Sequence, residues 1–256
     1  MRKSLILLSS IALSATIFTS TTASAQEYPV DKTNFSKADG TKKSVTYLTE
    51  QEIKNSDFNM LSKVYEELKK KTANKNYTEE ELNKITANEI QKAIRNKSNS
   101  FSTMGYSIPG FGELTDAEIR LAQSNPMEFV KYGNAAQEAK TEAQKYYGKS
   151  QLYQGNGDAF RHAYWNARLV QSFGGGPSHG YDRAKVWANA HESKSSGIDK
   201  EMDLYNNETG RFLAMENYYT YSSVKYSSVL RSMVKQGSLV RIVNKKLVAT
   251  NGTTGK

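Results

Sequence analysis

Thr49 followed by Glu52, Thr78 by Glu81 and Thr115 by Glu118 set the strongest limit on what this chain can become. A threonine with a glutamate three residues on is a capping box. The hydroxyl accepts from the backbone of the third helical residue, and the glutamate reaches back to the threonine's own N–H. Each box stands ahead of apolar residues at helical spacing. Ile53, Leu61, Val64 and Leu68 follow the first, and Leu82, Ile85, Ile90 and Ile94 follow the second. One-sided stripes of this kind bury against other helices. The third box opens a short helix that stops at Asn125-Pro126, and Pro126 suits the first turn of its successor, where a missing N–H costs nothing. That successor is expected to run to Tyr147, with Gly148 as its stop.

Further helices are predicted from near Asp158, from Tyr181 to His191 after the break "SFGGGPSHG", and from Lys200 to about Tyr218. Only "LVRIVNKKLVAT" reads differently. Two β-rich runs flank Asn244-Lys245, a small hairpin that needs support from elsewhere in the fold. The expected class is mainly α, a helical domain with a small C-terminal β-hairpin.

The start of the chain carries a different signal. Met1-Arg2-Lys3, an apolar run from Leu5 to Phe18 and Ala23-Ser24-Ala25 before Gln26 form a secretory signal peptide, too short and too interrupted for a membrane span. The expected organisation is a leader over 1–25, a helical and linker region over 26–112, and a mainly helical domain over 113–256. The linker falls in Asn96 to Gly112, which holds Pro109 and Gly110. The mature protein is expected outside the cell. With no cysteine it has neither disulfides nor thiol chemistry, and an ordinary core must stabilise it.

Losing Arg2 and Lys3 with the leader takes the formal charge from +9 to +7. No acid follows Glu216, whereas Lys225, Arg231, Lys235, Arg241, Lys245, Lys246 and Lys256 do, interleaved with Tyr218, Tyr219, Tyr221 and Tyr226. A basic end of this kind suits an anionic membrane or a cell-wall polymer. Its plain reading is a solvated face, and charge alone is a poor argument for nucleic acid.

Three segments carry chemistry: "GDAFRHAYWNARL", "NAHES" around His191, and "MDLYNNETGR". On a helix, Asp158, His162 and Asn166 share one stripe with Arg161 beside it, and Asp203, Asn207 and Arg211 share another. His191 and Glu192 close the helix between. Imidazole with carboxylates can perform acid–base work or hold a metal. No HExxH, GxSxG or phosphate-binding loop is present, so neither the reaction nor a divalent cation is fixed. Each residue also has a structural reading. Asp158 can cap its helix, the arginines can pair with Asp158 and Asp203, and His179 sits in a Gly-Pro loop.

These segments, together with "LTDAEIRLAQSNP" upstream and "GSLVRIVNKKLVATN" downstream, resemble a bacterial domain family of unknown function found in secreted and phage- or toxin-associated proteins. The resemblance covers about Leu114 to Asn251. It implies one mainly helical exported domain. Asp158, Arg161, His162, Asn166, His191, Glu192, Asp203, Asn206, Asn207 and Arg211 match the family's marked positions. It implies no established activity, and the glycine-rich stretch from Gly174 to Gly180 widens one loop relative to the pattern.

Two readings follow. In the first, the domain is a hydrolase of phosphodiester or phospholipid bonds. His162 is base or metal ligand with His191 as its partner, Asp158 and Asp203 orient histidine or hold a cation, and Arg161 and Arg211 bind anionic oxygen. Asn166, Asn207 and Glu192 complete the pocket. In the second, the protein is a non-enzymatic envelope-binding or effector module, and the same residues form a network that fixes helix geometry.

Overall fold

The structure is a computed structural model that describes residues 45–73, 75–98 and 112–256. The expected leader and most of the expected linker lie outside the described residues. The described chain is mainly helical, with a two-stranded antiparallel hairpin near its C-terminus.

All three capping boxes form. The first opens only α1 (Glu50–Lys54). The chain breaks at Asn55 to Asp57, and Asp57 caps a separate helix, α2 (Phe58–Thr72), by accepting from Met60 N–H. The single apolar stripe therefore belongs to two helices, because an aspartate inside it offers the backbone a cap. Then come α3 (Glu79–Ser98), α4 (Asp116–Ser124) and α5 (Pro126–Tyr146), the last with Pro126 at its first turn as expected. Helices α2 and α3 lie against α5.

The centre of the domain is α6 (Asn156–Phe173), packed by α5, α7 (Pro177–His191), α8 (Gly197–Glu216) and α9 (Ser223–Gln236). Helix α6 is buried on nearly all sides. Phe160, Trp165, Leu169 and Val170 of α6 join Phe129, Tyr132 and Trp187 in the core. The Tyr132 ring stands between the two tryptophans, 5.3 Å from Trp165 and 4.8 Å from Trp187. Each such side chain, fully buried, stabilises by about 1.5–3 kcal/mol. Backbone approaches its neighbours closely at two glycines. A Cβ on Gly180 would fall 2.2 Å from the Val170 carbonyl oxygen, and one on Gly210 would fall 1.9 Å from that of Ala163. These contacts draw α7 and α8 onto α6.

Two sequence expectations change here. Helix α7 begins at Pro177 rather than Tyr181, since Pro177 sits well in a first turn and the break is confined to Gly174–Gly176. His179 thus lies on an exposed helical turn, not in a loop. The basic tyrosine-containing end also contains α9, capped by Ser222, whose apolar face buries Tyr226, Leu230 and Val234.

The hairpin pairs β1 (Val240–Val243) with β2 (Lys246–Ala249) across Asn244 and Lys245, both at positive φ, the signature of a two-residue turn. Its support comes from two sources. Ile242 N–H donates to the Gln154 carbonyl at 2.9 Å, and Asn206 grips Val240 through both its N–H and its C=O. Asn156 binds the Asn251 and Thr253 backbone in the same manner, which ties the C-terminus to the start of α6. No helix among the described residues is long and apolar enough to cross a membrane.

Candidate active site

Four polar side chains of α6, Asp158, Arg161, His162 and Asn166, are buried in a core of aromatic rings. Buried polar groups are destabilising unless partnered, so the neighbouring helices must supply partners. They do. His162 Nδ1 lies 3.2 Å from Asn207 Oδ1 of α8. The same oxygen accepts from Asn166 Nδ2 at 2.6 Å, and Asn166 Oδ1 accepts from Arg211 Nη1 at 2.6 Å. Asn207 Nδ2 in turn donates to Glu192 Oε1 at 3.3 Å. Because Asn207 presents an acceptor, we place the imidazole proton on Nδ1.

The other face of the ring then carries a lone pair. Nε2 accepts from Arg161 Nη2 at 2.8 Å and lies 3.3 Å from Asp203 Oδ1 and 3.5 Å from Asp158 Oδ1. Arg161 Nη2 also donates to Asp158 Oδ1, 2.5 Å away. Asp158 is not the cap of its helix. Gly155 holds that place, and Asp158 accepts the Gln154 N–H through its other oxygen at 2.6 Å. Gln154 itself sits at φ 55, and its amide donates to Asp199 of α8 at 2.6 Å. Asp203 and Arg161 are the most exposed members, at 16% and 10% of their side chains. Asp203 Oδ1 nonetheless is wholly buried and has no hydrogen-bond partner.

Burial, with the charges of Arg161 and His191, holds His162 well below the ordinary histidine range. The ring is neutral, and its short distances to carboxylates are contacts rather than ion pairs. Burial, then the neighbouring Glu192 and Asp158 carboxylates, pushes Asp203 up to about 9. The group is a crowd of acids around one neutral imidazole. A ligand atom from each of His162, Glu192 and Asp203 lies within 4.8 Å of the other two, so the three can hold a metal ion between α6, the end of α7 and α8.

His191 belongs to a second cluster. Its Nδ1 lies 3.1 Å from Glu118 Oε1 of α4, and the Tyr132 hydroxyl donates to the same oxygen. Glu118 Oε2 accepts the Thr115 N–H at 2.6 Å, and Thr115 Oγ1 donates to the Ala190 carbonyl at 2.8 Å. Burial alone would lower His191, yet the Glu118 carboxylate outweighs it and raises the imidazole above its usual value. The two histidines meet through Trp165, whose ring stands edge-on to both, at 5.2 Å from His191 and 6.4 Å from His162.

The structure thus brings together Asp158, Arg161, His162, Asn166, Glu192, Asp203 and Asn207. Arg211 reaches the group from behind through Asn166. Its charge is met by Glu208, not by Asp203. Asn206 holds the hairpin instead. Sequence reasoning missed Glu118, Tyr132 and Gln154. Glu118 was legible only as a capping-box acid, and nothing in the spacing of Tyr132 or Gln154 sets either apart.

Residues 119–238 match the model of a family described as a domain of unknown function (DUF6973). The match starts inside α4 and ends just past α9, so it holds every member of the His162 cluster and stops one residue short of Glu118. No curated protein and no solved structure matches the chain.

Proposed function

We propose that this domain is a hydrolase of phosphodiester bonds, free or within phospholipid head groups, carried by an exported bacterial chain. One observation carries the reading. A neutral buried imidazole, three carboxylates and a guanidinium from three helix segments meet in one cluster, with Asp158, Asp203 and Arg161 at the Nε2 lone pair and Glu192 4.0 Å from Nδ1. His162 and the carboxylates activate a water. Its oxygen bonds to phosphorus, the P–O bond to the leaving alcohol breaks, and the proton that water gives up ends on that alcohol. Arg161 meets the anionic oxygens. Arg211 positions Asn166, and through it Asn207 and His162. His191 braces Trp165 against the site and touches no reacting atom. The basic end brings the domain to an anionic membrane or wall polymer.

A second reading keeps its place because Asn166, Asn207 and Arg211 are wholly or almost wholly buried and satisfy one another. On that reading the network fixes helix geometry in a non-enzymatic envelope-binding or effector module. Turnover of bis(p-nitrophenyl) phosphate and of phosphatidylglycerol vesicles, with and without divalent ions, separates the two. Wild-type turnover that His162→Gln abolishes while circular dichroism and Tm hold supports the hydrolase. A folded wild type that is inert on both substrates overturns it and leaves the network.

A further inference from the structure

We infer that His162, Glu192 and Asp203 bind one divalent first-row metal ion, Zn2+ or Mn2+, which activates the water of the proposed hydrolysis. The inference deepens that reading and rests on it for the ion's role, though not for its binding.

The donor set comes first. One imidazole and two carboxylates, with ligand atoms within 4.8 Å of one another, offer three protein ligands and leave a position for water. Three protein ligands and an open site are the usual composition of a catalytic zinc centre, whereas structural zinc sites are closed by four. An imidazole with carboxylates also suits manganese. The surrounding shell is the second observation. A metal-bound histidine usually gives its remaining N–H to an oxygen that fixes the ring. Asn207 Oδ1 takes that N–H here and is itself held by Asn166, which is held by Arg211. The third is Asp203 Oδ1, a buried acceptor with no hydrogen-bond partner, 3.3 Å from Nε2. Finally, the cluster already draws in a cation. Arg161 Nη2 stands 2.8 Å from Nε2 and 2.5 Å from Asp158 Oδ1. An ion reaching Nε2 displaces that guanidinium and frees it for a substrate oxygen.

The test is titration of the full mature chain with Zn2+ and with Mn2+ by calorimetry, and imidazole nitrogen NMR with Zn2+. The expected result is one ion per chain, with a coordination shift at a ring nitrogen of His162 and none at His179 or His191. Asp203→Asn and Glu192→Gln should each weaken binding at least about tenfold. Absence of saturable binding, a coordination shift at another histidine, or unchanged affinity in both variants overturns the site. The wild-type NMR result decides alone if a variant does not fold. An ion bound at His162 without turnover leaves the site standing and removes the hydrolase. Turnover with no bound ion and no response to chelator does the reverse.

Discussion

His162 and His191 are two buried imidazoles that touch the same tryptophan, and they are driven in opposite directions. His191 makes its direct contact with the carboxylate of Glu118, whose remaining capacity is taken by the Thr115 N–H and the Tyr132 hydroxyl, and Glu192 adds a more distant negative charge. It is raised above the usual histidine value. His162 has three carboxylates within about 4 Å but an arginine on its lone pair and an amide oxygen on its N–H, and it is held far below that value. Burial favours the neutral ring in both places. The difference lies in which neighbour makes the direct hydrogen bond. One cluster is a closed pair with every group answered. The other leaves Asp203 Oδ1 unanswered in a crowd of acids. Closed pairs hold folds together, and unanswered groups wait for something.

The largest effect should come from breaking the closed pair. Glu118→Ala leaves the buried His191 imidazole without its carboxylate partner and removes one capping box, so we expect a loss of about 3–5 kcal/mol in urea denaturation. Glu118→Gln keeps the shape and an acceptor for Tyr132, and should cost less. A loss below about 1 kcal/mol for Glu118→Ala would show that the pair contributes as little as an exposed one, and the contrast between the clusters would go.

Next in size is Gly210→Ala. The added methyl would stand 1.9 Å from the Ala163 carbonyl oxygen, and neither backbone can yield without parting α8 from α6. Overpacking of this kind costs about 1–3 kcal/mol. Here it should also lift Asn207 off His162, so Tm and Zn2+ affinity should fall together. A drop in Tm with affinity unchanged would mean that the ligand geometry does not depend on this helix contact. Asn207→Leu, which keeps the volume but strands the His162 and Asn166 donors, should cost about 1–3 kcal/mol by the penalty for unmet buried donors. It should loosen the His162 ring more than the fold, and the imidazole NMR linewidths would report it.

Much of this architecture was readable because its rules are local. Thr49, Thr78 and Thr115 each needed only a glutamate three residues on, and Asn244-Lys245 needed only its flanking strands. The residues that converge around His162 were likewise recoverable from two helical stripes, because i and i+4 fix a face. What a stripe cannot state is which stripe it meets. Glu118 looks identical to Glu52 and Glu81 in sequence, three acids in three capping boxes. Only tertiary packing turns one of them inward to His191 while the other two remain at the surface. Arg211 shows the same limit from the other side. Its spacing from Asp203 suggested a pair, but a nearer acid, Glu208 on the adjacent turn, takes the charge. Helix α9 escaped notice because its tyrosines and lysines read as a charged end, and its apolar face is thin.

The smallest effect on stability is the sharpest test of the comparison. Asp203→Asn removes an acid from a set that already contains Asp158 and Glu192, and the new amide can donate where the carboxyl oxygen had no partner. Losing a carboxylate from a closed pair strands its partner, whereas Asp203, pushed up to about 9, must take up a proton on folding near neutral pH, a cost that an amide does not carry. We therefore expect the substituted protein to be as stable as the parent or more stable by up to about 1 kcal/mol, the worth of one ordinary hydrogen bond. Cation binding should fall sharply in the same sample. Stability gained where function is lost is the usual mark of a site kept for something other than folding. If Asp203→Asn instead destabilises as much as Glu118→Ala, then Asp203 is paired as firmly as Glu118 is. The His162 cluster would then be a structural network of the same kind as its neighbour.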